Sequence, residues 1–224
     1  MINPHWKDYL KTPIGKKRIA LTAGSLLLMF LAVFLTLSYV ETRSGFVIES
    51  TLRELYGHPI DFSLPIFALT YFTIGYALIT SAKKPELLLR LLTAYCIMQF
   101  MRCASLLLVP LEPSPEILPL TDPVLQFTFY NGRENLKDLF FSGHVATVAI
   151  VAFLYENPRT KTLFFTGAAL LGFFLIQQRV HYAIDVVAAP VFAWFAVRLG
   201  DVTSRSMSSN SSSSITDQSK STGE

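Results

Sequence analysis

Charge, cysteine and internal repetition are what this sequence has least of. Charged residues make up 16% of its 224 positions, against about 25% in ordinary soluble domains. The formal net charge of +3 is too small to point to nucleic acid, and no nucleic-acid partner is expected. The two cysteines, Cys96 and Cys103, lie seven residues apart in one apolar run. On a helix that spacing is about 10 Å along the axis, too long for a disulfide. They read as packing residues and leave the redox compartment open. No internal repeat is visible, which counts against a transporter built from repeated halves. A signal peptide is the competing reading of the first apolar run. That run is too long for one, and the SYVETRS that follows has no small-x-small cleavage site, so a retained first span is expected.

What the sequence does have is long apolar runs. Hydrophobic residues make up 51% of the chain and cluster into stretches long enough to cross a bilayer, which predicts a membrane protein. Six spans are expected, over residues 19–40, 62–80, 87–109, 139–155, 162–178 and 180–199, the fourth and fifth being short. The fold class predicted is therefore all-α, a polytopic bundle of six transmembrane helices. Basic residues sort the connections into two sets. Lys7, Lys11, Lys16, Lys17 and Arg18 precede the first span; Lys83 and Lys84 follow the second. Arg159 and Lys161 separate the fourth from the fifth, and Arg198 and Arg205 flank the end of the sixth. With six spans all of these fall on one side, which the positive-inside rule makes the cytoplasm, with both termini. The chain divides into a cytoplasmic segment (1–18), a membrane-embedded domain (19–202) and a Ser-rich tail (203–224). The tail lacks apolar periodicity and is expected to be disordered. The Pro-rich loop from Pro110 to Lys137 lies on the opposite side, where it can pack over the helix ends.

Two segments on that opposite side carry candidate chemistry. Asp138-Leu-Phe-Phe-Ser142-Gly143-His144 opens the fourth span, and Arg179-Val-His181-Tyr-Ala-Ile-Asp185 opens the sixth. A spacing of four on a helix would put His181 and Asp185 on one face, where the carboxylate can fix the imidazole tautomer. The pair is equally readable as a structural staple between helices. Ser142 and Gly143 suit a helix N-terminus, whose amides and dipole favour an anion. There His144 is either a catalytic group or an interfacial histidine. Arg179 offers a guanidinium fork for phosphate oxygens. Arg102, inside the third span, needs a counter-ion or a wet cavity; it either reaches the site or snorkels outwards. Together these residues can hold and attack a phosphoryl group.

SGH at the start of one span and RVHYAIDVV at the start of the span after next resemble the sphingomyelin synthase-like branch of the type 2 phosphatidic acid phosphatase (PAP2) superfamily. Arg102 and the following VPLEPSPE resemble that branch's third span and Leu-Pro loop. The resemblance implies a PAP2-like helical bundle in which His181 attacks phosphorus to form a phosphohistidine and Asp185 orients it. His144 protonates the leaving oxygen and then activates the acceptor. Arg179 is implied at the phosphate. From the residues themselves, Ser142 and Gly143 at the helix start and Arg102 are expected to help hold that group, and no metal or cofactor is expected, because Asp185 is engaged with His181 and arginine takes the place of a cation. Two departures separate the chain from the superfamily's lipid phosphatases. Their K-x6-R-P motif has no counterpart, since Leu91 follows the Lys83/Arg90 pair, and Leu175 stands six residues before His181 where they carry arginine.

The activity expected is transfer of a phospho-headgroup from a glycerophospholipid to a lipid alcohol such as ceramide or diacylglycerol. The alternative is a lipid phosphate phosphatase with water as acceptor, and the more distant one a non-catalytic transporter or scaffold. The expected partners are those lipids and the bilayer, with the site on the non-cytoplasmic face.

Overall fold

A computed structural model describes residues 4–48, 57–121 and 135–221, with side chains described as far as 204. Seven helices are formed among them: α1 (Pro4–Lys11), α2 (Pro13–Val40), α3 (Ser63–Ser81), α4 (Pro85–Leu108), α5 (Gly143–Leu154), α6 (Pro158–Gln177) and α7 (Ala183–Ser221). Local chemistry sets their starts. Proline occupies the first turn of α2, α4 and α6, where a missing N–H costs nothing. Thr12 and Asn157 cap α2 and α6 by accepting the Gly15 N–H at 3.0 Å and the Arg159 N–H at 2.9 Å. The Thr12-Pro13 signal therefore starts α2 six residues before the apolar run at Ile19, through its basic residues.

Five helices are long and apolar enough to cross a membrane: α2, α3, α4, α6 and the stretch Ala183–Ser204 of α7. The fourth expected span, 139–155, differs. With 12 residues, α5 is about 18 Å long, well short of a hydrocarbon core of about 30 Å. Its surroundings supply the reason. It packs against α3, α4, α6 and α7, and Val145, Ala146, Val148, Ala149, Ile150 and Val151 are all buried. A helix enclosed by protein has no lipid to match. The outer helices carry the lipid belt instead, with Leu27, Leu64, Ile79, Leu108 and Val187 among the most exposed apolar residues.

Beyond its apolar stretch the backbone of α7 continues as helix to Ser221. Extending a helix already nucleated by an apolar span requires only one further hydrogen bond per residue, without an apolar face.

Ion pairs fix which ends lie together. Arg18 donates to Glu86 at 2.6 Å and to Ser204 Oγ at 3.0 Å. Arg90 grips both carboxylate oxygens of Asp201 at 2.8 and 3.0 Å, and the Trp6 indole N–H reaches the Ala82 carbonyl at 2.7 Å. The starts of α2 and α4, the end of α3 and the polar turn of α7 thus share one end. Lys83 and Arg90, whose spacing imitates a phosphatase motif, belong to that end.

At the other end the described part of the Pro-rich loop packs over the helices. Phe46 N–H donates to the Pro110 carbonyl and Glu112 N–H to that of Phe46, both at 2.9 Å. Lys137 Nζ ties the loop down through Glu112 at 2.8 Å and the Arg43 carbonyl at 2.6 Å. That ammonium contact, helped by the Gly45 N–H, pulls the Glu112 carboxyl below its usual range. Burial pushes Glu41 up, against the Lys137 and Leu136 N–H groups that hold it down. The remainder of the loop, 122–134, lies outside the described residues.

Candidate active site

The first motif is built as a helix start. Ser142, wholly buried, caps α5 with its hydroxyl 3.5 Å from the Val145 N–H. Gly143 and His144 are the first two helical residues. The His144 ring lies edge-on to Phe67 of α3, centroids 5.9 Å apart. Residues just upstream are held by α4. Arg102 forms an ion pair with Asp138 and donates from Nε to the Phe141 carbonyl at 3.3 Å. Ser105 Oγ donates to the Phe140 carbonyl at 2.9 Å.

The second motif is a turn followed by a helix start. After α6 the Arg179 N–H bonds to the Ile176 carbonyl at 3.1 Å and the Val180 N–H to that of Leu175 at 3.0 Å. This is the paired closure of a Schellman motif, which places its C′ residue in the left-handed region. That residue is Arg179, at φ 63°, where glycine is the ordinary occupant. A non-glycine residue held there costs about 1–3 kcal/mol and is a pointer to function. The guanidinium donates to the Gly57 carbonyl at 2.9 Å. Gln178 beside it is completely buried. It accepts from Phe62 N–H at 2.8 Å and donates to Ser63 Oγ at 3.0 Å and the Leu118 carbonyl at 3.1 Å. It thus joins the turn to α3 and the loop.

His181 and Asp185 do meet, but helical periodicity is not what brings them together. His181 precedes α7, which begins at Ala183. Asp185 sits at the third helical position, and its Oδ2 accepts the Tyr182 N–H at 2.9 Å, the back-reaching half of a capping box. The same oxygen lies 3.4 Å from His181 Nδ1. The carboxylate therefore caps α7 and faces the imidazole at once. Both side chains are buried, Asp185 wholly, and Asp185 Oδ1 has no hydrogen-bond partner among the described residues.

One backbone hydrogen bond joins the two motifs: Ser142 N–H donates to the Asp185 carbonyl at 3.1 Å. The close approach of α6 and α7 reinforces it. A Cβ on Gly172 would stand 2.4 Å from Val186 Cγ1 and 3.8 Å from Val145 Cγ2, so one level of α6 faces the first turns of both α5 and α7. From there α6 continues for five residues to Gln177, about 8 Å. The Tyr182 hydroxyl meanwhile donates to the Glu112 carbonyl at 2.9 Å. The end of α6 thus stands past the level of the two helix starts, and the described part of the loop reaches Tyr182.

Of the expected residues, Ser142, Gly143, His144, His181 and Asp185 fall in one layer. Arg102 lies against Gly143, and Arg179 sits at the head of the α6–α7 turn. Leu175 is in the core, wholly buried. Sequence reasoning did not single out Asp138, Gln178 and Tyr182. For Asp138 a signal existed, since a cation within a span calls for a counter-ion. Among the described residues no set of three histidine, cysteine or carboxylate side chains could hold a metal ion.

No curated protein and no solved structure matches the chain. A family model does: residues 137–200 match PAP2 superfamily C-terminal, a segment that holds both histidine motifs and excludes Arg102. Over that segment the chain is similar to a superfamily whose members are typically phosphatases or phosphotransferases, which with its apolar helices supports a lipid enzyme of that type in a membrane.

Proposed function

We propose that this chain is a lipid phosphotransferase that moves a phospho-headgroup from a glycerophospholipid to a lipid alcohol, ceramide or diacylglycerol, through a phosphohistidine. The observation that carries the reading is the hydrogen bond from Ser142 N–H to the Asp185 carbonyl, 3.1 Å. It sets a helix N-terminus bearing one histidine beside a second histidine that faces a buried carboxylate.

In this mechanism Asp185 holds a proton on His181 Nδ1, so the Nε2 lone pair attacks phosphorus. The bond from phosphorus to the diacylglycerol oxygen breaks as His144 gives that oxygen a proton. His144, now neutral, takes the proton of the incoming lipid alcohol, whose oxygen attacks phosphorus and frees His181. Arg179 and the first amides of α5 carry the negative charge of the phosphoryl oxygens. The site faces the non-cytoplasmic side, because the opposite end carries Lys7, Lys16, Lys17, Lys83 and Lys84.

The two departures from the phosphatase motifs favour transfer over hydrolysis. Lys83 and Arg90 are at the far end of the bundle, and Leu175 supplies no charge. The test incubates purified protein with phospholipid labelled in its headgroup, with and without ceramide or diacylglycerol. Label in a new lipid only when acceptor is added supports the transferase. Release of the water-soluble phosphorylated headgroup, or of inorganic phosphate from phosphatidic acid, regardless of acceptor assigns a hydrolase, and no product from either lipid under either condition removes both.

A further inference from the structure

Arg102 is a cation on a spanning helix whose next turn meets lipid through Leu108, 80% exposed. Its placement is not that of a simple phosphate ligand. The guanidinium pairs with Asp138, and Nε–H donates to the Phe141 carbonyl at 3.3 Å. Three residues on, Ser105 grips the Phe140 carbonyl at 2.9 Å. One face of α4 thereby holds the whole approach to the Ser142 cap. The guanidinium also lies directly on Gly143: a Cβ there would be 2.9 Å from Cζ and 3.0 Å from Nε. A bare backbone at 143 is what admits Arg102 to the first turn of α5.

We propose that Arg102 and Asp138 are positioning residues that aim His144. Away from bulk water their attraction is strong, and a planar fork can satisfy a carboxylate and a carbonyl together where an ammonium could not. The body of α5 is fixed by its packing. Its first turn points where residues 138–142 deliver it, and His144 is the second residue of that turn. Arg102 thus acts through His144 and not on phosphorus, and the inference rests on the proton-carrying role given to His144 above.

The test has one arm in turnover and one independent of it. Asp138→Asn should lower kcat on the natural phospholipid by about 100-fold, the scale of a 1 Å misplacement, with KM little changed. The same substitution should add almost nothing in a His144→Ala background. Reaction of His144 with diethyl pyrocarbonate, followed by mass spectrometry of the folded protein, should change several-fold, while that of His5 at the far end does not. Should Asp138→Asn insert poorly, Arg102→Met with Asp138→Leu replaces the pair by apolar groups and should give the same two results. His144 reactivity equal to wild type in these variants overturns the proposal. So does a loss in kcat undiminished by His144→Ala, or a loss confined to KM, which would return Arg102 to the substrate. Absence of a phosphoenzyme in the wild type would instead remove the phosphotransfer reading, and His144 reactivity would then decide the positioning alone.

Discussion

Asp185 does two jobs with one oxygen, and substitution can separate them. In Asp185→Asn the amide oxygen can still accept the Tyr182 N–H, now at 2.9 Å, so the cap of α7 survives and stability should stay within about 1 kcal/mol of wild type. The same oxygen still faces His181 Nδ1 and can accept its proton, but as a neutral amide oxygen it no longer stabilises the positive charge that builds on the ring as Nε2 attacks. In a serine protease the equivalent carboxylate-to-amide change costs about 10⁴-fold. Here the contact is 3.4 Å, longer than the usual 2.9 Å or so, and a loss of about 10²–10³-fold in phosphoenzyme formation is expected. Asp185→Ala should match that loss and also leave the buried Tyr182 N–H without an acceptor, a cost of about 1–3 kcal/mol. The assay is single-turnover trapping of acid-labile label on the protein, beside thermal unfolding in the same detergent. Wild-type trapping by the Asn variant, with only the Ala variant unstable and slow, would reduce Asp185 to a helix cap and refute the reasoning.

The two histidines should separate by leaving group. His181→Ala should trap no label on any substrate, whereas His144→Ala should retain far more activity on an aryl phosphate, which needs little proton assistance, than on the natural lipid; trapping by His181→Ala but not His144→Ala would reverse the roles. Arg179→Gly relaxes a left-handed residue but loses a charged contact with Gly57, so stability should stay within about 1 kcal/mol while KM rises, a pattern that unchanged KM would contradict. For Glu112 the folded carboxyl lies below its ordinary 4.5, so its stabilising contribution is complete above that pH and is lost as pH falls through the lowered value; Glu112→Gln should flatten the acid limb of the unfolding profile, and an unchanged limb would count against it. Cysteines placed beside Gly143 and Lys83 should react with an impermeant thiol reagent from opposite sides of a sealed membrane, and labelling of the Gly143 site from the cytoplasm would overturn the orientation.

The histidine motifs were legible because each is short and local. SGH is a cap followed by a helix start, and R-x-H-Y-x-x-D places a carboxylate within reach of an imidazole. Even so, the reason for that reach was misread. The spacing of four suggested two side chains on one helical face, while the structure uses a capping box just outside the helix. Arg179 defeats sequence reading for a different reason: a left-handed residue after a helix is announced by glycine, and here the position is held by the surrounding contacts. Asp138 and Arg102 find each other only through the packing of α4 against the approach to α5. The start of α2 at Pro13, upstream of the apolar run at Ile19, is marked by the Thr12-Pro13 cap and not by hydropathy. The short fourth span was visible as a short apolar run, but its meaning depended on knowing which helices surround it.

Enclosure of α5 bears on how this protein responds to its lipid. A bilayer that thickens or thins acts on helices that touch it, by changing their tilt or drawing lipid up and down their sides. Of the helices around the site, α3, α6 and α7 present long apolar flanks to that force, through residues such as Leu64, Leu163 and Val187. With no such flank, α5 feels membrane thickness only through its neighbours, and the hydrogen bond from Ser142 to Asp185 makes its first turn move with that of α7. On the mechanism proposed above, chemistry at His144 and His181 is insulated from hydrophobic mismatch so long as α5 and α7 tilt as one body. Bilayers of graded acyl length should alter how readily a lipid reaches the proposed site well before they alter the rate at which a bound lipid reacts.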